Sequence, residues 1–103
     1  MRGGAVVYAA SKAFVSTLTH GLSKEVAADG IRVNAVAPGL IDTPFHVKFT
    51  SPENFKAQTG NIAMKRPGTA EEVAGAAIYL ASDGLSGFTT GEVMDVNGGA
   101  WFA

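Results

Sequence analysis

The stretch that decides the fold is residues 29–39, Asp-Gly-Ile-Arg-Val-Asn-Ala-Val-Ala-Pro-Gly. Its first two residues end a helix, because glycine suits the left-handed conformation that follows the last helical turn. Ile31–Ala37 is too short for a helix and rich in β-branched residues, which predicts a strand that Pro38-Gly39 ends abruptly. A helix, a two-residue turn and a buried strand make half of a βαβ unit. The sequence therefore predicts an α/β fold with a parallel sheet.

The helix before this strand is predicted to run from about Ala9 to Ala28, with Gly21 inside it. Apolar residues recur every four positions and predict a stripe at Ala10, Phe14, Leu18, Leu22 and Val26. A second narrow arc of the helix surface carries mostly small side chains, which would let another helix approach closely. This arc is expected to serve either internal packing or a subunit contact, and it consists of Ala9, Ala13, Ser16, His20 and Ala27. Gly21 costs about 1 kcal/mol relative to alanine in mid-helix, so we expect a close-packing reason for it.

The segment at residues 43–68 follows no clean period, although large apolar side chains are spread through it. Ser51 and Pro52 predict the N-cap and first turn of a short helix that runs to about Gln58. An aromatic-bearing excursion between a strand and the next helix is typical of a lid over a pocket. A loop packed on the core is the alternative, and His46 is expected to be a surface or lid histidine rather than a catalyst.

The next segment predicts a well-capped helix. Thr69 and Glu72 form a capping box, and the helix is expected to continue to about Ala81, with Asp83-Gly84 closing it. Its predicted apolar face consists of Val73, Ala76, Ala77 and Leu80.

The C-terminal residues predict a second strand. Residues 92–96 form this strand, residues 97–99 a turn of one asparagine and two glycines, and residues 100–103 an apolar end. Because the end carries aromatic side chains, we expect it to be docked rather than free in water.

Composition excludes several classes of protein. The chain has 103 residues, 47% of them hydrophobic, and a net charge of −1, which indicates one small globular domain and argues against nucleic-acid binding. No apolar run approaches the roughly 20 residues that span a bilayer, so no membrane contact is expected. The absence of cysteine allows a reducing compartment, and a cytoplasmic location is expected. No metal site is expected, because Asp42, Asp83 and Asp95 are scattered without histidines at ligand spacing.

Tyr8 and Lys12 stand four residues apart at the start of the first predicted helix and therefore share one face. A free phenol has a pKa of about 10 and is a poor acid or base at neutral pH. A fixed cation nearby favours the phenolate and lowers that pKa. The pair is a candidate acid/base unit, although tyrosine and lysine at this spacing also occur on ordinary helix surfaces.

Together these motifs resemble one family. Tyr8 and Lys12 open a helix, residues 31–39 follow, then Thr43, and finally residues 91–99, Gly-Glu-Val-Met-Asp-Val-Asn-Gly-Gly. In this order and spacing the chain is similar, over nearly its whole length, to the C-terminal part of classical short-chain dehydrogenase/reductase enzymes. The resemblance implies that residues 1–103 are the C-terminal part of one dinucleotide-binding domain. That domain has a Rossmann-like, doubly wound parallel sheet, and its N-terminal half is missing here.

The resemblance also implies an activity, which is reversible hydride transfer between NAD or NADP and a secondary alcohol or ketone. Tyr8 matches the family's general acid/base, which exchanges a proton with the substrate oxygen. Lys12 matches the lysine that binds the nicotinamide ribose hydroxyls and lowers the pKa of the tyrosine. The helix that carries both resembles one that pairs between subunits, so a homo-oligomer, either dimer or tetramer, is expected.

Four further residues are implied to bind the cofactor. Pro38 and Gly39 match the turn that runs beside the nicotinamide, where glycine would let the backbone approach the ring. Ile41 matches a position whose backbone contacts the carboxamide. Thr43 matches a hydroxyl that binds the carboxamide or the pyrophosphate.

Some family features are absent from this sequence. The catalytic serine should precede the tyrosine by about a dozen residues, but only seven residues precede Tyr8 and none is a serine. The glycine-rich phosphate turn is absent as well, so the chain is expected to be a fragment or truncated product that is inactive alone. The alternatives are a non-catalytic module that retains only subunit association and a binding protein that has lost its chemistry. Intact Tyr8 and Lys12 argue against the latter.

Overall fold

A computed structural model describes residues 6–44 and 50–101 of the 103-residue chain. The described elements, in chain order, are helix α1 (Val6–Val26), a short 3₁₀ turn (Ala27–Asp29), strand β1 (Ala35–Pro38), helix α2 (Pro52–Gly60), helix α3 (Ala70–Ala81), helix α4 (Asp83–Ser86) and strand β2 (Val93–Val96). This order is the predicted one, with α4 as the addition.

The two described strands pair in parallel, and the predicted α/β class is confirmed. Pairing runs from Ala35 opposite Val93 to Pro38 opposite Val96. The backbone N–H of Gly39 continues the ladder by donating to Val96 O at 2.8 Å. Because the carboxyl ends of parallel strands lie at the same edge of a sheet, the turns that follow β1 and β2 are neighbours.

Both strands are shorter at their N-terminal ends than predicted, and β1 extends one residue further to include Pro38. Residues 31–34 stay outside the regular ladder because their polar groups bind the segment before β2. The guanidinium of Arg32 donates to Asp83 Oδ1 at 2.9 Å, to Ser86 Oγ at 3.1 Å and to Thr89 O at 3.1 Å.

Asn34 ties the same two segments together from the other side. Its Nδ2 donates to Thr89 O at 3.1 Å, and its Oδ1 accepts from the backbone N–H of Glu92 at 3.0 Å. The hydroxyl of Thr90 accepts from the backbone N–H of Val33 at 3.0 Å. Side chains therefore add to the backbone hydrogen bonds at the start of the sheet, where the N–H of Gly91 donates to Val33 O at 2.7 Å.

Helix α1 buries small hydroxyl side chains. Thr19 and Ser23 are each 5% exposed. Their hydroxyls donate to the preceding turn of the helix, Thr19 to Val15 O at 2.7 Å and Ser23 to His20 O at 2.7 Å, so neither is buried without a partner. Ser23 lies against Gly91, where an added Cβ would stand 2.8 Å from its Oγ. Small side chains on this face let the helix come close to the chain that enters β2.

The predicted apolar stripe of α1 is wrong as a buried face, since Phe14 is 66% exposed and Leu18 and Leu22 also lie open to solvent. The reason is that the helix turns its hydroxyl-bearing face inward, so the larger side chains point away from the described sheet. The small-residue arc is mixed: Ala9 and Ser16 are half-buried, and Ala13, His20 and Ala27 are exposed. A Cβ on Gly21 would meet nothing within 4 Å, so the expected close packing is not found among the described residues. No helix in the described ranges combines the length and apolar character that crossing a membrane requires.

Predicted helix ends are confirmed at three places. Gly30 adopts the left-handed conformation (φ 74°) and donates its N–H to Ala27 O at 3.0 Å. Ser51 caps α2, accepting from the backbone N–H of Asn54 at 3.2 Å. The capping box of α3 forms in both directions.

The residues around α3 differ from prediction in two respects. Leu80 is buried and Ala76 half-buried, as predicted, but Ala77 is exposed because it lies about 100° around the helix from Ala76. Residues 83–86 also continue as α4 rather than simply ending α3. The hydroxyl of Ser86, 2% exposed, donates to Tyr79 O at 2.7 Å and holds this turn against α3.

The chain just before residue 43 and the chain at residue 68 lie side by side, so both ends of the segment at residues 43–68 are close together. Ile41 forms an isolated parallel bridge with Gly68. The N–H of Asp42 donates to Gly68 O and the N–H of Gly68 donates to Leu40 O, both at 2.9 Å. Residues 45–49, with His46, lie outside the described residues, so only part of the predicted lid is described.

Asn34→Ala should lower the free energy of unfolding by about 1–3 kcal/mol, since it removes two hydrogen bonds and leaves the N–H of Glu92 without its acceptor. Urea denaturation measures this change. Asn54→Ala, on the exposed side of α2, is the matched control and should change stability by less than about 0.5 kcal/mol. Equal effects of the two substitutions would contradict the anchoring role of Asn34.

Stability at low pH should depend on Glu72. Hydrogen bonds from the Arg66 guanidinium (2.8 and 2.9 Å) and from the Thr69 N–H (3.0 Å) hold the pKa of Glu72 down to about 2, below its ordinary value of 4.5. A depressed pKa contributes stability that is fully present above pH 4.5 and is lost as the pH falls through 2.

Glu72→Gln should therefore lower stability at neutral pH, and the gap from the wild type should shrink as the pH is lowered to 2. Denaturation curves across this pH range measure the gap. Glu71→Gln, at the neighbouring exposed carboxylate, is the control and should show no comparable convergence. A gap for Glu72→Gln that stays constant down to pH 2 would rule out the linkage.

Candidate active site

Tyr8 and Lys12 lie on the first turns of α1, on one face as predicted. The Nζ atom of Lys12 is 5.5 Å from the centroid of the Tyr8 ring and 5.2 Å from that of the Trp101 ring. The side chain of Tyr8 is 66% exposed, and Lys12 is half-buried. The phenol is thus open to a ligand while the ammonium is partly enclosed.

Pro38 and Gly39 form the turn that leaves β1. A Cβ on Gly39 would stand 2.7 Å from Asn97 Cβ and 2.9 Å from Asn97 Cα. Glycine is therefore required here because the chain after β1 packs directly on the chain after β2. The family resemblance implies a different reason, close approach to a nicotinamide ring.

These two elements border one cleft of about 660 Å³. Four predicted site residues line it: Tyr8, Lys12, Pro38 and Gly39. Its other lining residues come from α2, the loops and the chain end: Leu40, Gln58, Asn61, Ile62, Ala100 and Trp101. The volume is in the range of small-molecule sites, and the cleft lies at the carboxyl edge of the sheet, where open α/β folds bind ligands.

Ile41 and Thr43, the other two predicted cofactor residues, are not among the residues that line this cleft. Ile41 instead packs on Gly68, where an added Cβ would be 2.8 Å from Ile41 Cδ1. Thr43 is half-buried just before the segment outside the described residues. Their cofactor contacts stay a prediction.

Six cleft residues were not predicted as site residues, and three of them, Gln58, Asn61 and Trp101, carry polar or aromatic side chains. No sequence signal marks the two amides, because they reach the cleft through the path of the chain after Thr43. For Trp101 the sequence provided a partial indication. The aromatic chain end was expected to pack on the protein, but no feature of the sequence indicated on which part.

The cleft contains groups suited to proton exchange. The Tyr8 hydroxyl is both a donor and an acceptor, and the Lys12 ammonium offers three donors. The amides of Gln58 and Asn61 add donors and acceptors to the lining. Within residues 6–44 and 50–101, no three histidine or carboxylate side chains come together as metal ligands would.

Comparison with known proteins identifies the family. A family model described as enoyl-(acyl carrier protein) reductase matches residues 1–100. The chain belongs to the short-chain dehydrogenase/reductase family. The fold agrees: a solved NADH-dependent reductase, A1-R′, described as responsible for alginate metabolism, superimposes with a TM-score of 0.81. It is 39% identical in sequence, and the match covers 97% of this chain and 36% of that one.

Similar short-chain dehydrogenase/reductase sequences carry diverse names. An uncharacterized oxidoreductase of Escherichia coli, YgfF, is 50% identical over 97 residues, which is 94% of this chain and 39% of the relative. Glucose 1-dehydrogenase of Gluconobacter oxydans is 45% identical, and 3beta-hydroxysteroid dehydrogenase 1 of Eggerthella lenta is 50% identical. Each of these two matches covers 89% of this chain and 35% of the relative. The chain thus spans well under half the length of these relatives.

Two glycine substitutions should change stability in opposite directions. Gly39→Ala should destabilise the fold by about 1–3 kcal/mol, because the added methyl overlaps Asn97. Gly21→Ala should stabilise it by about 0.5–1 kcal/mol, because open space surrounds this helical position. Chemical denaturation of both variants provides the comparison, and a shift of the same sign in both would contradict the packing described for Gly39.

Proposed function

We propose that this chain is the catalytic part of an NAD(P)-dependent oxidoreductase that interconverts a secondary alcohol and a ketone. Tyr8 acts as the general acid/base in this proposal. The observation that supports it is the convergence of Tyr8, Lys12 and the Pro38-Gly39 turn on one cleft at the carboxyl edge of β1. Membership of a family whose members include named dehydrogenases and reductases agrees with it.

The residues of the cleft fit the nicotinamide half of the cofactor. A ribose presents hydroxyl groups, which the Lys12 ammonium can bind, and the cleft of about 660 Å³ is large enough for a ring and a sugar. The backbone of Pro38 and Gly39 lines the cleft beside the position proposed for the nicotinamide ring. When bound, a nicotinamide cofactor supplies the hydride chemistry that side chains lack.

The chain's own residues handle the proton. In the direction of reduction, the Tyr8 hydroxyl donates its proton to the substrate oxygen as that oxygen gains negative charge; in oxidation it takes the proton back. The Lys12 ammonium, on the same face of α1, stabilises the phenolate that forms at Tyr8. The 66% exposure of Tyr8 leaves its hydroxyl accessible to a substrate from the open side of the cleft.

The segment at residues 43–68 forms the substrate side of the site in this proposal. Gln58 and Asn61 line the cleft and can bind polar groups, while Ile62 supplies an apolar surface. A lining of both kinds suits a ligand that is partly polar and partly apolar. The presence of these three residues in the same cleft as Tyr8 supports the proposed lid role of this segment.

We also propose a homo-oligomer and a cytoplasmic location. The exposed apolar stripe on α1 supports association, because large exposed side chains such as Phe14 and Leu18 gain stability when another surface covers them. The same observation favours the alternative function, a non-catalytic module that retains only subunit association.

Tyr8→Phe separates these two functions. In a protein produced from the complete reading frame that contains this sequence, the substitution should reduce turnover of NADH or NADPH with a ketone panel by at least about 100-fold. Tyr79→Phe, at the chain's second tyrosine on α3, is the matched control and should retain full turnover.

The 103-residue chain, assayed in parallel, should show no turnover, since it lacks the glycine-rich turn and the serine that the family resemblance implies. Undiminished activity in Tyr8→Phe would exclude the proposed acid/base role. Absence of any nicotinamide-dependent activity in the protein from the complete reading frame would favour the association module.

A further inference from the structure

Trp101 packs on the cation of the candidate pair, yet the proposed function gives it no role. Its ring centroid is 5.2 Å from Lys12 Nζ, and the Tyr8 centroid is 5.5 Å from the same atom. Both distances are within the roughly 6 Å over which the face of an aromatic ring attracts an ammonium. Lys12 therefore contacts two rings, one from its own helix and one from the chain after β2.

The chain holds Trp101 in place through Asn97. Asn97 Nδ2 donates to Trp101 O at 3.0 Å, and Asn97 Oδ1 accepts from the N–H of Gly99 at 2.9 Å. Gly98 and Gly99 adopt positive φ values of 63° and 86°, which turn the chain back toward α1. Gly98 also lies so close to Ile62 that a Cβ there would be 2.7 Å from its Cγ2. Trp101 thus follows a packed and hydrogen-bonded turn.

Among the described residues, the rings of Tyr8 and Trp101 are the groups that hold the Lys12 ammonium in place. Within the described residues, Lys12 forms neither a salt bridge nor a hydrogen bond. Lysine has a flexible four-carbon stem, so without such contacts its ammonium would sample many positions. Tyr8 alone restrains it weakly, since that residue is itself 66% exposed.

We propose that Trp101 is a positioning residue that holds the Lys12 ammonium at the mouth of the cleft, ready to bind the ribose hydroxyls of a nicotinamide cofactor. This role rests on the proposed function. Tryptophan is the aromatic residue with the strongest attraction for a cation, which suits the task. Trp101 also lines the cleft itself, so the same ring restricts the space in which the ammonium moves.

The contact can be tested without a cofactor by NMR of the chain. Protons near the face of an aromatic ring resonate upfield, so the ε-methylene of Lys12 should be shifted upfield relative to that of Lys24, which lies in the last turn of α1. Trp101→Leu, which keeps apolar bulk but has no ring, should reduce this shift to the contribution of the Tyr8 ring. Trp101→Phe should retain it, and Phe88→Leu, at a fully exposed aromatic side chain, should leave it unchanged.

The role can be tested with reduced nicotinamide mononucleotide, the half of the cofactor that the cleft would hold. Trp101→Leu should weaken its binding about two- to fivefold, the range expected for one exposed cation–π contact, and Trp101→Phe should restore most of the affinity. In a Lys12→Met background, Trp101→Leu should have no further effect. A purely structural role would not produce this dependence on Lys12.

The outcomes distinguish this inference from the proposed function. If Trp101→Leu leaves the Lys12 signals unchanged, or if it weakens binding equally with and without Lys12, the positioning role is overturned and the proposed function stands. If the mononucleotide fails to bind the protein produced from the complete reading frame, the proposed function and this role are both overturned, whatever the Lys12 signals show.

Discussion

Parallel pairing of β1 with β2 is the constraint on which the candidate site depends. It brings the turn after each strand to one edge of the sheet, and the backbone of Gly39 then packs on Asn97 with no room for a side chain. From this contact the chain continues on one side toward Leu40 and on the other toward Trp101. Helix α1 contributes its first turns to the same edge. A change of register by one residue would separate these groups, so the cleft is a direct product of strand pairing.

Buried polar side chains fix the positions of several helices and strands in this protein, a task that large apolar side chains perform in most protein cores. Ile62 and Leu80 are the buried hydrophobic residues among those described, while Thr19, Ser23 and Ser86 are buried with their hydroxyls bonded to backbone carbonyls. Arg32 and Asn34 similarly join the two segments at the start of the sheet, beside the backbone hydrogen bonds there. Such groups are specific in geometry and individually worth only about 1 kcal/mol, so they align the elements more than they stabilise the fold.

Local signals in the sequence were enough to predict the helices and strands except α4, and four of the ten residues that line the cleft. Capping residues and glycine turns act within a few positions, and for that reason Gly30, Ser51 and the α3 capping box were predicted correctly. The spacing of Tyr8 and Lys12 gave their shared face, and the resemblance to short-chain dehydrogenase/reductase enzymes added the Pro38-Gly39 turn.

Long-range packing was beyond this reasoning. Periodicity identifies an apolar stripe but not the elements that will cover it, so the burial of the hydroxyl face of α1 was not predicted. The positions of Gln58 and Asn61 depend on the path of a whole segment, and that of Trp101 depends on the turn at Asn97. No short pattern encodes either path.

The bridge between Ile41 and Gly68 has a consequence for how such a protein can diversify. Both ends of the intervening segment are fixed to neighbouring backbone, so its length can change without moving the strands or α3. Closing a longer loop costs little, since each doubling of its length adds only about 0.6 kcal/mol of entropy. Insertions or deletions in this segment can therefore change the side of the cleft that Gln58, Asn61 and Ile62 form, while the side formed by Tyr8 and Lys12 on α1 is inherited unchanged.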